Sequence, residues 1–263
     1  MNLLKSLWAY RSFIFGSVER EFQSKYRNSL LGAAWTVINP LAMIFVYTVI
    51  FSQLMRAKLP GMDSTFAYSI YLCSGTLTWG LFSEISSRAQ NIFLENANLL
   101  KKLSFPRLCL PVVVVANAGI NFAIVFGLFT LFLIASGMFP GLAFLAVLPL
   151  LIILVTLAIG LGISLGVLNV FFRDVGQFFA IFLQFWFWFT PIVYPVSILP
   201  APVQSLMDYN PMTPLMAGFQ ASLVFGQWPY WPSLVYPAML AALLCLVGMR
   251  LFRGHACDMV DEL

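Results

Sequence analysis

Chemistry needs ionisable or nucleophilic groups within reach of one another, and few residues here are spaced that way. Glu84 and Arg88 stand four positions apart near the end of an apolar stretch, the spacing at which a carboxylate and a guanidinium meet on a helix. Two roles fit them: an ion pair snorkelling to a membrane surface, and a contact to a charged substrate. The single histidine, His255, stands near the C-terminus. No HExxH or GxSxG pattern occurs, and no GxxxxGK[ST] loop is present to cradle a nucleotide phosphate. The four cysteines (Cys73, Cys109, Cys245, Cys257) lack CxxC spacing. Three of them fall in apolar runs, where Cys behaves as a small hydrophobe. Neither a disulfide framework nor a metal site is indicated, and no cofactor is expected in this chain.

The surplus is aromatic. Phe, Trp and Tyr make up 16% of the chain, and they are densest from Phe178 to Phe189. A ring offers sugar C–H bonds an apolar, π-rich face, so an uncharged path lined with rings would suit a long neutral polymer. Lipid-facing bulk and an interfacial belt account for most of these rings. On a helix, Phe178, Phe182, Phe185 and Phe189 share one face, with Trp186 and Trp188 flanking it and Phe187 pointing away. Gly160, Gly162, Ser164 and Gly166 form a small-residue cluster, in which Gly162 and Gly166 have the spacing that lets helices approach closely.

The elements that carry these residues follow from composition. Residues are 61% hydrophobic and 9% charged, against about 25% charged in soluble domains. No charged residue or histidine occurs across 108–172, 175–207 or 209–249. A bilayer core takes about 20 apolar helical residues per span, so these runs hold several. They are continuous rather than alternating, which excludes a transmembrane β-barrel. The expected fold is an all-α polytopic membrane protein, a single domain over 1–263 with six transmembrane helices near 30–54, 66–86, 108–136, 143–171, 176–198 and 233–251. The turn-formers Ser136 to Gly141 separate the third span from the fourth.

Three segments stand outside the spans. Residues 1–29 interleave Leu3, Leu4, Leu7, Trp8 and Phe13 with charges, as in an N-terminal amphipathic interface helix. Residues 87–107 read as a polar loop. Residues 199–232 are apolar yet hold Pro200, Pro202, Pro211, Pro214, Pro229 and Pro232, which argues for short re-entrant helices before the last span. With both termini inside, 12 of the 14 basic residues lie on inner segments and only Arg56 and Lys58 lie outside, which satisfies the positive-inside rule. The net charge of +4 therefore orients the chain; no nucleic-acid partner is implied. Charge persists through Arg27 before the first long apolar run, so no cleavable signal peptide is expected. No internal repeat is evident. Ionisable residues inside spans mark enzymes and proton-coupled carriers, and their scarcity disfavours both.

Several stretches together resemble the membrane subunits of ABC-2-type polysaccharide exporters. They are Lys25-Tyr26-Arg27-Asn28-Ser29-Leu30-Leu31-Gly32-Ala33-Ala34-Trp35 running to Asn39-Pro40-Leu41, and Asn98-Leu99-Leu100-Lys101-Lys102-Leu103-Ser104-Phe105-Pro106-Arg107. Shorter matches are Phe172-Arg173-Asp174-Val175, Thr190-Pro191-Ile192-Val193-Tyr194-Pro195 and Asn210-Pro211. The resemblance implies a homodimeric permease for a lipid-linked, O-antigen or capsule-like polymer in the bacterial inner membrane. Two copies of a cytoplasmic ATPase subunit would bind the ATP. It also implies that 87–107 is the cytoplasmic coupling loop, with Leu99, Leu100, Lys101, Lys102 and Phe105 meeting the ATPase. On that reading Lys25, Arg27 and Arg107 contact the lipid pyrophosphate, alongside the attraction of basic residues to membrane lipids. Trp35, Tyr47, Phe185, Trp188 and Tyr194 would line a glycan path between two copies. The alternatives are an ABC-2 permease for a small drug or lipid, a membrane-embedded transferase, and a passive channel.

Overall fold

The structure, a computed structural model, describes residues 8, 10–26, 32–50, 66–102, 109–255 and 258–262. Among these residues every regular element is helical. In order they are α1 (Arg11–Tyr26), α2 (Trp35–Tyr47), α3 (Ala67–Glu95), α4 (Ala97–Lys102), α5 (Cys109–Ala135), α6 (Val147–Phe171), α7 (Asp174–Trp188), α8 (Ala201–Met207), α9 (Met212–Leu223), α10 (Val235–Gly254) and α11 (Asp258–Glu262).

By length and composition three described helical stretches can cross a membrane: Cys109–Ala135, Gly141–Phe171 and Trp231–Gly254. The first measures about 40 Å at 1.5 Å per residue, more than the hydrocarbon core requires. The turn between α5 and α6 falls where the turn-formers placed it, with Gly137 at φ 71° and Gly141 at φ 65°, a backbone region that glycine enters without penalty.

Two boundaries differ from the sequence reading. The segment from 87 is not loop at first: α3 runs on to Glu95. Arg88 and Asn91 are half-buried and Glu95 is exposed, while Ala89, Ile92 and Phe93 recur at helical spacing and are buried, with Gln90 beside them. That one-sided pattern makes an amphipathic helix. The helix stops at Asn96, whose backbone N–H still reaches Ile92 O, and α4 follows at once. The expected 176–198 span is also shorter as helix, since α7 ends at Trp188 and Thr190-Pro191 leads into an irregular stretch. Freed carbonyls in apolar surroundings need donors. The Tyr68 hydroxyl donates to Val193 O (2.7 Å), the Tyr71 hydroxyl to Tyr194 O (2.9 Å) and Gln220 Nε2 to Pro191 O (3.0 Å).

The prolines of 199–232 sit where they do least harm. Pro200 precedes α8 and Pro202 is in its first turn, while Pro211 precedes α9 and Pro214 is in its first turn. A first-turn N–H has no helical partner to lose. Met212, Leu215, Met216, Phe219 and Leu223 of α9 are fully buried with Ile70, Phe82, Leu150 and Leu154 in the larger of two cores. The smaller core gathers Ala89, Ile92 and Phe93 of α3, Val167 and Val170 of α6, Phe252 of α10 and Met259 of α11.

Glycines set the helix spacing. A Cβ on Gly162 would lie 2.5 Å from Ala89 Cβ, and one on Gly166 would lie 2.8 Å from Ala89 O, so both face α3. A Cβ on Gly160 would lie 2.7 Å from Cys245 N, on the opposite side facing α10. The small-residue cluster of α6 thus serves two seams at once.

Candidate functional site

At the α4 end of the molecule, charges from α1 and α3 converge and meet two amides of α5. Glu84 and Arg88 occupy one face of α3, and Arg88 Nη1 lies 3.7 Å from Glu84 Oε1. Arg88 Nη2 also pairs with Glu21 of α1. From α5, Asn117 Nδ2 donates to Glu21 and Asn121 Nδ2 donates to Glu84 (3.2 Å). Two carboxylates thus share one guanidinium, and two amides supply the remaining donors. The local balance is −1, held by hydrogen bonds from groups four residues apart on adjacent helices. The sequence reading found only the Glu84–Arg88 pair. Asn117 and Asn121, one turn apart inside the charge-free run, were the signal that another polar face had to meet it.

Beside this cluster lies a cavity of about 480 Å³. Phe13, Ser17, Arg20 and Glu21 of α1 form one wall, with Arg88, Ile92, Glu95 and Asn96, then Leu99 of α4, and Leu110, Val113 and Val114 of α5 closing it. The spacing of Phe13, Ser17 and Glu21 along α1 turns one stripe of that helix toward the cavity. Phe15 faces outward and is 71% exposed. The cavity is amphiphilic, lined both by the charged Arg20, Glu21, Arg88 and Glu95 and by aliphatic side chains.

Of the residues proposed to meet an ATPase, Leu99 packs on the smaller core and Lys101 is exposed. The side chains of Leu100 and Lys102 lie outside the described residues, as does Phe105. Among the pyrophosphate candidates, Arg27, Arg107 and the side chain of Lys25 lie outside them too.

The aromatic stripe of α7 faces outward: Phe178 is 70% exposed, Phe185 61% and Phe189 57%. Phe187 turns inward against Trp79, with ring centroids 5.8 Å apart. Trp186 also packs inward, edge-on to Phe82 at 5.2 Å, and its indole N–H donates to Asn210 Oδ1 at 2.9 Å. Phe182, Phe185 and Phe189 line a groove of about 540 Å³ with Leu206, Tyr209 and Pro211. Trp188 is exposed, and the Tyr194 hydroxyl donates to its carbonyl at 2.6 Å. Phe185, Trp188 and Tyr194 therefore belong to one region. Trp35 and Tyr47 stand at the two ends of α2, about 18 Å apart along its axis.

These features define a helical integral membrane protein; among the described residues no group of His, Cys, Asp and Glu could hold a metal ion. The chain belongs to the ABC-2 type transporter family, which it matches over residues 13–224, and so is a transport subunit. It is 29% identical over 235 residues to the O-antigen export system permease protein RfbA of Klebsiella pneumoniae, covering 89% of this chain and 88% of that protein. A protein of the same name from Myxococcus xanthus is 28% identical over 265 residues, the full length of both chains. The polysialic acid transport protein KpsM of Escherichia coli is 22% identical over 239 residues, 89% of this chain and 90% of that one.

Proposed function

We propose that this chain is the permease subunit of an ATP-driven exporter that moves a lipid-linked polysaccharide, of O-antigen or capsule type, across the bacterial inner membrane. The observation that carries the reading is the end-to-end likeness to O-antigen export permeases, with a polysialic acid transporter among the relatives. An exposed aromatic stripe, suited to sliding contact with sugar rings, agrees with it. In this reading α2, the apolar half of α3, and α7 with the stretch after it complete six spans. The helices α8 and α9 are re-entrant, and both termini are cytoplasmic.

Two copies of the chain enclose the glycan path, with Phe185, Trp188 and Tyr194 on one wall and Trp35 and Tyr47 contributing from α2. Two ATPase subunits dock on the segment 87–107 through Leu99, Leu100, Lys101 and Lys102 of α4 and through Phe105. The cations Lys25, Arg27 and Arg107 receive the lipid pyrophosphate, where arginine offers a forked donor and lysine a point charge.

The test is deletion of the gene with complementation by tagged protein. Surface polysaccharide should disappear while lipid-linked polymer accumulates in the cell, and the tagged chain should capture an ATPase. Charge reversal with Lys101→Glu and Lys102→Glu should abolish capture and leave membrane insertion intact. Unchanged surface polysaccharide in the deletion strain would overturn the substrate class, and undiminished capture by the charge-reversed chain would overturn the docking site.

A further inference from the structure

We infer that the C-terminal helix α11 positions α4 and forms with it one two-helix docking surface for the ATPase. The inference rests on the reading of α4 as the ATPase-facing element. Helix α11 has five residues, far too few to be stable alone in water, so something must hold it. Its described side chains divide sharply: Asp258 and Glu262 are exposed, and Met259 is 2% exposed. Met259 is the anchor. It enters the smaller core, where Phe93 of α3 stacks on Phe252 of α10 at 5.5 Å and Val167 and Val170 of α6 complete the socket. Leu99 of α4 packs against that same cluster, and α11 touches α4 directly. The Met259 N–H donates to His255 O at 2.9 Å, tying α11 to the end of α10.

Helix α4 needs such support. It is six residues long, and its described apolar anchor, Leu99, is only half-buried. A push delivered to an unsupported six-residue helix would be lost in local rearrangement. Seated against α11 as well as α3, it has a second wall to push on.

The charges complete the case. Helix α4 carries Lys101 and Lys102, while α11 carries Asp258, Asp261 and Glu262. Lys101, Asp258 and Glu262 are exposed and take no part in the salt bridges formed among the described residues. A partner with an acidic lip against α4 and a basic lip against α11 is the complement of this surface. Opposed charge pairs of that kind fix register and suppress wrong orientations.

The experiment measures hydrogen exchange across 97–102 in the purified full-length chain, and capture of the ATPase by the same variants. Met259→Ala should speed exchange of α4 about thirtyfold or more, the low end for truncating a buried methionine. It should also lower ATPase capture. Met259→Leu should restore both, which a general loss of fold would not permit. Asp258→Lys with Glu262→Lys should lower capture and leave the exchange of α4 unchanged. Unchanged exchange in Met259→Ala would overturn the bracing role, and full capture by the Asp258→Lys, Glu262→Lys chain would overturn the docking role. Lys101→Glu serves as the control for the underlying reading: if it alone keeps full capture, α4 is not the docking element, whatever α11 does to its exchange.

Discussion

Removing Arg88 should cost more than removing the carboxylate it pairs with, and removing both should cost less than the sum. Arg88 neutralises Glu21 and Glu84 together. In Glu21→Gln, Glu84 still faces the guanidinium and the new amide oxygen can still accept from Asn117, so the expected loss is about 1 kcal/mol, the scale of a partly solvated pair. In Arg88→Gln, two carboxylates confront each other with only the Asn117 and Asn121 amides as donors. Breaking a fully buried pair costs about 3–5 kcal/mol. Here the Arg88 side chain is 31% exposed and that of Glu21 is 42% exposed, so water relieves part of the strain and about 2 kcal/mol is expected. The double variant keeps one carboxylate, Glu84, with Asn121 as its donor, and should lose only about 1 kcal/mol. Added singly the losses give about 3 kcal/mol, so the cycle carries a coupling of about 2 kcal/mol. Thermal unfolding in detergent reads the stabilities, and proteolysis after α1 reads whether that helix has come away. A double variant as unstable as the two single losses added, or a Glu21→Gln loss equal to that of Arg88→Gln, would refute the shared-guanidinium arrangement.

Gly162→Ala places a methyl group 2.5 Å from Ala89 Cβ and should destabilise the chain by about 1–3 kcal/mol of overpacking, less the gain in helix propensity. Gly127→Ala on α5 meets nothing within 4 Å and should gain up to about 1 kcal/mol; unfolding temperatures that move the same way in both would refute the α3–α6 seam. Asn210 accepts from the Trp186 indole, donates to Phe189 O and Thr190 Oγ1, and holds Met212 N in an Asx-turn. Asn210→Ala should therefore cost about 2–3 kcal/mol, with the indole N–H left unpaired, and should change the near-ultraviolet dichroism of the tryptophans. Tyr71→Phe removes the donor to Tyr194 O and Pro191 O and should cost about 1–2 kcal/mol, read as faster hydrogen exchange confined to 190–196.

The helical class, the break at 136–141 and the close approach at Gly162 and Gly166 were legible in the sequence because each has a local physical cause: charge-free length, turn residues and missing side chains. The extent of α3 was not, because the polar residues Arg88, Gln90 and Asn91 read as loop. The buried Ala89, Ile92 and Phe93 give the helical period that outweighs them. The end of α7 was misplaced for the opposite reason. Apolarity continues through Ile192 and Val193, but Pro191 removes an N–H, and the tyrosines of α3 take over the stretch's carbonyls. Glu21 could not be paired from sequence, since its partners Arg88 and Asn117 are 67 and 96 residues away. Only the packing of α1 on α5 brings them together.

That packing also bears on how force would cross the molecule. Helix α3 is one element of 29 residues without an internal proline, about 43 Å long at 1.5 Å per residue. At one end it adjoins α4. At the other, Tyr68 and Tyr71 hold the carbonyls of 191–194, and Ile192 presses so closely that a Cβ on Gly75 would lie 3.0 Å from its side chain. Between them, Ala89 is locked against Gly162 and Gly166 of α6, leaving no room for α3 to slide along that seam. A displacement of α3 would therefore be resisted at that seam, which favours motion of α3 and α6 together. The stretch of 191–194, hydrogen-bonded to the tyrosines of α3, links that pair to the end of the aromatic helix α7. At the rim, α1 is held through Glu21 by the Arg88 guanidinium and the Asn117 amide, and α11 through Met259. The Arg88 cluster is thus a partly exposed contact at the edge of a core whose central seam is glycine-tight.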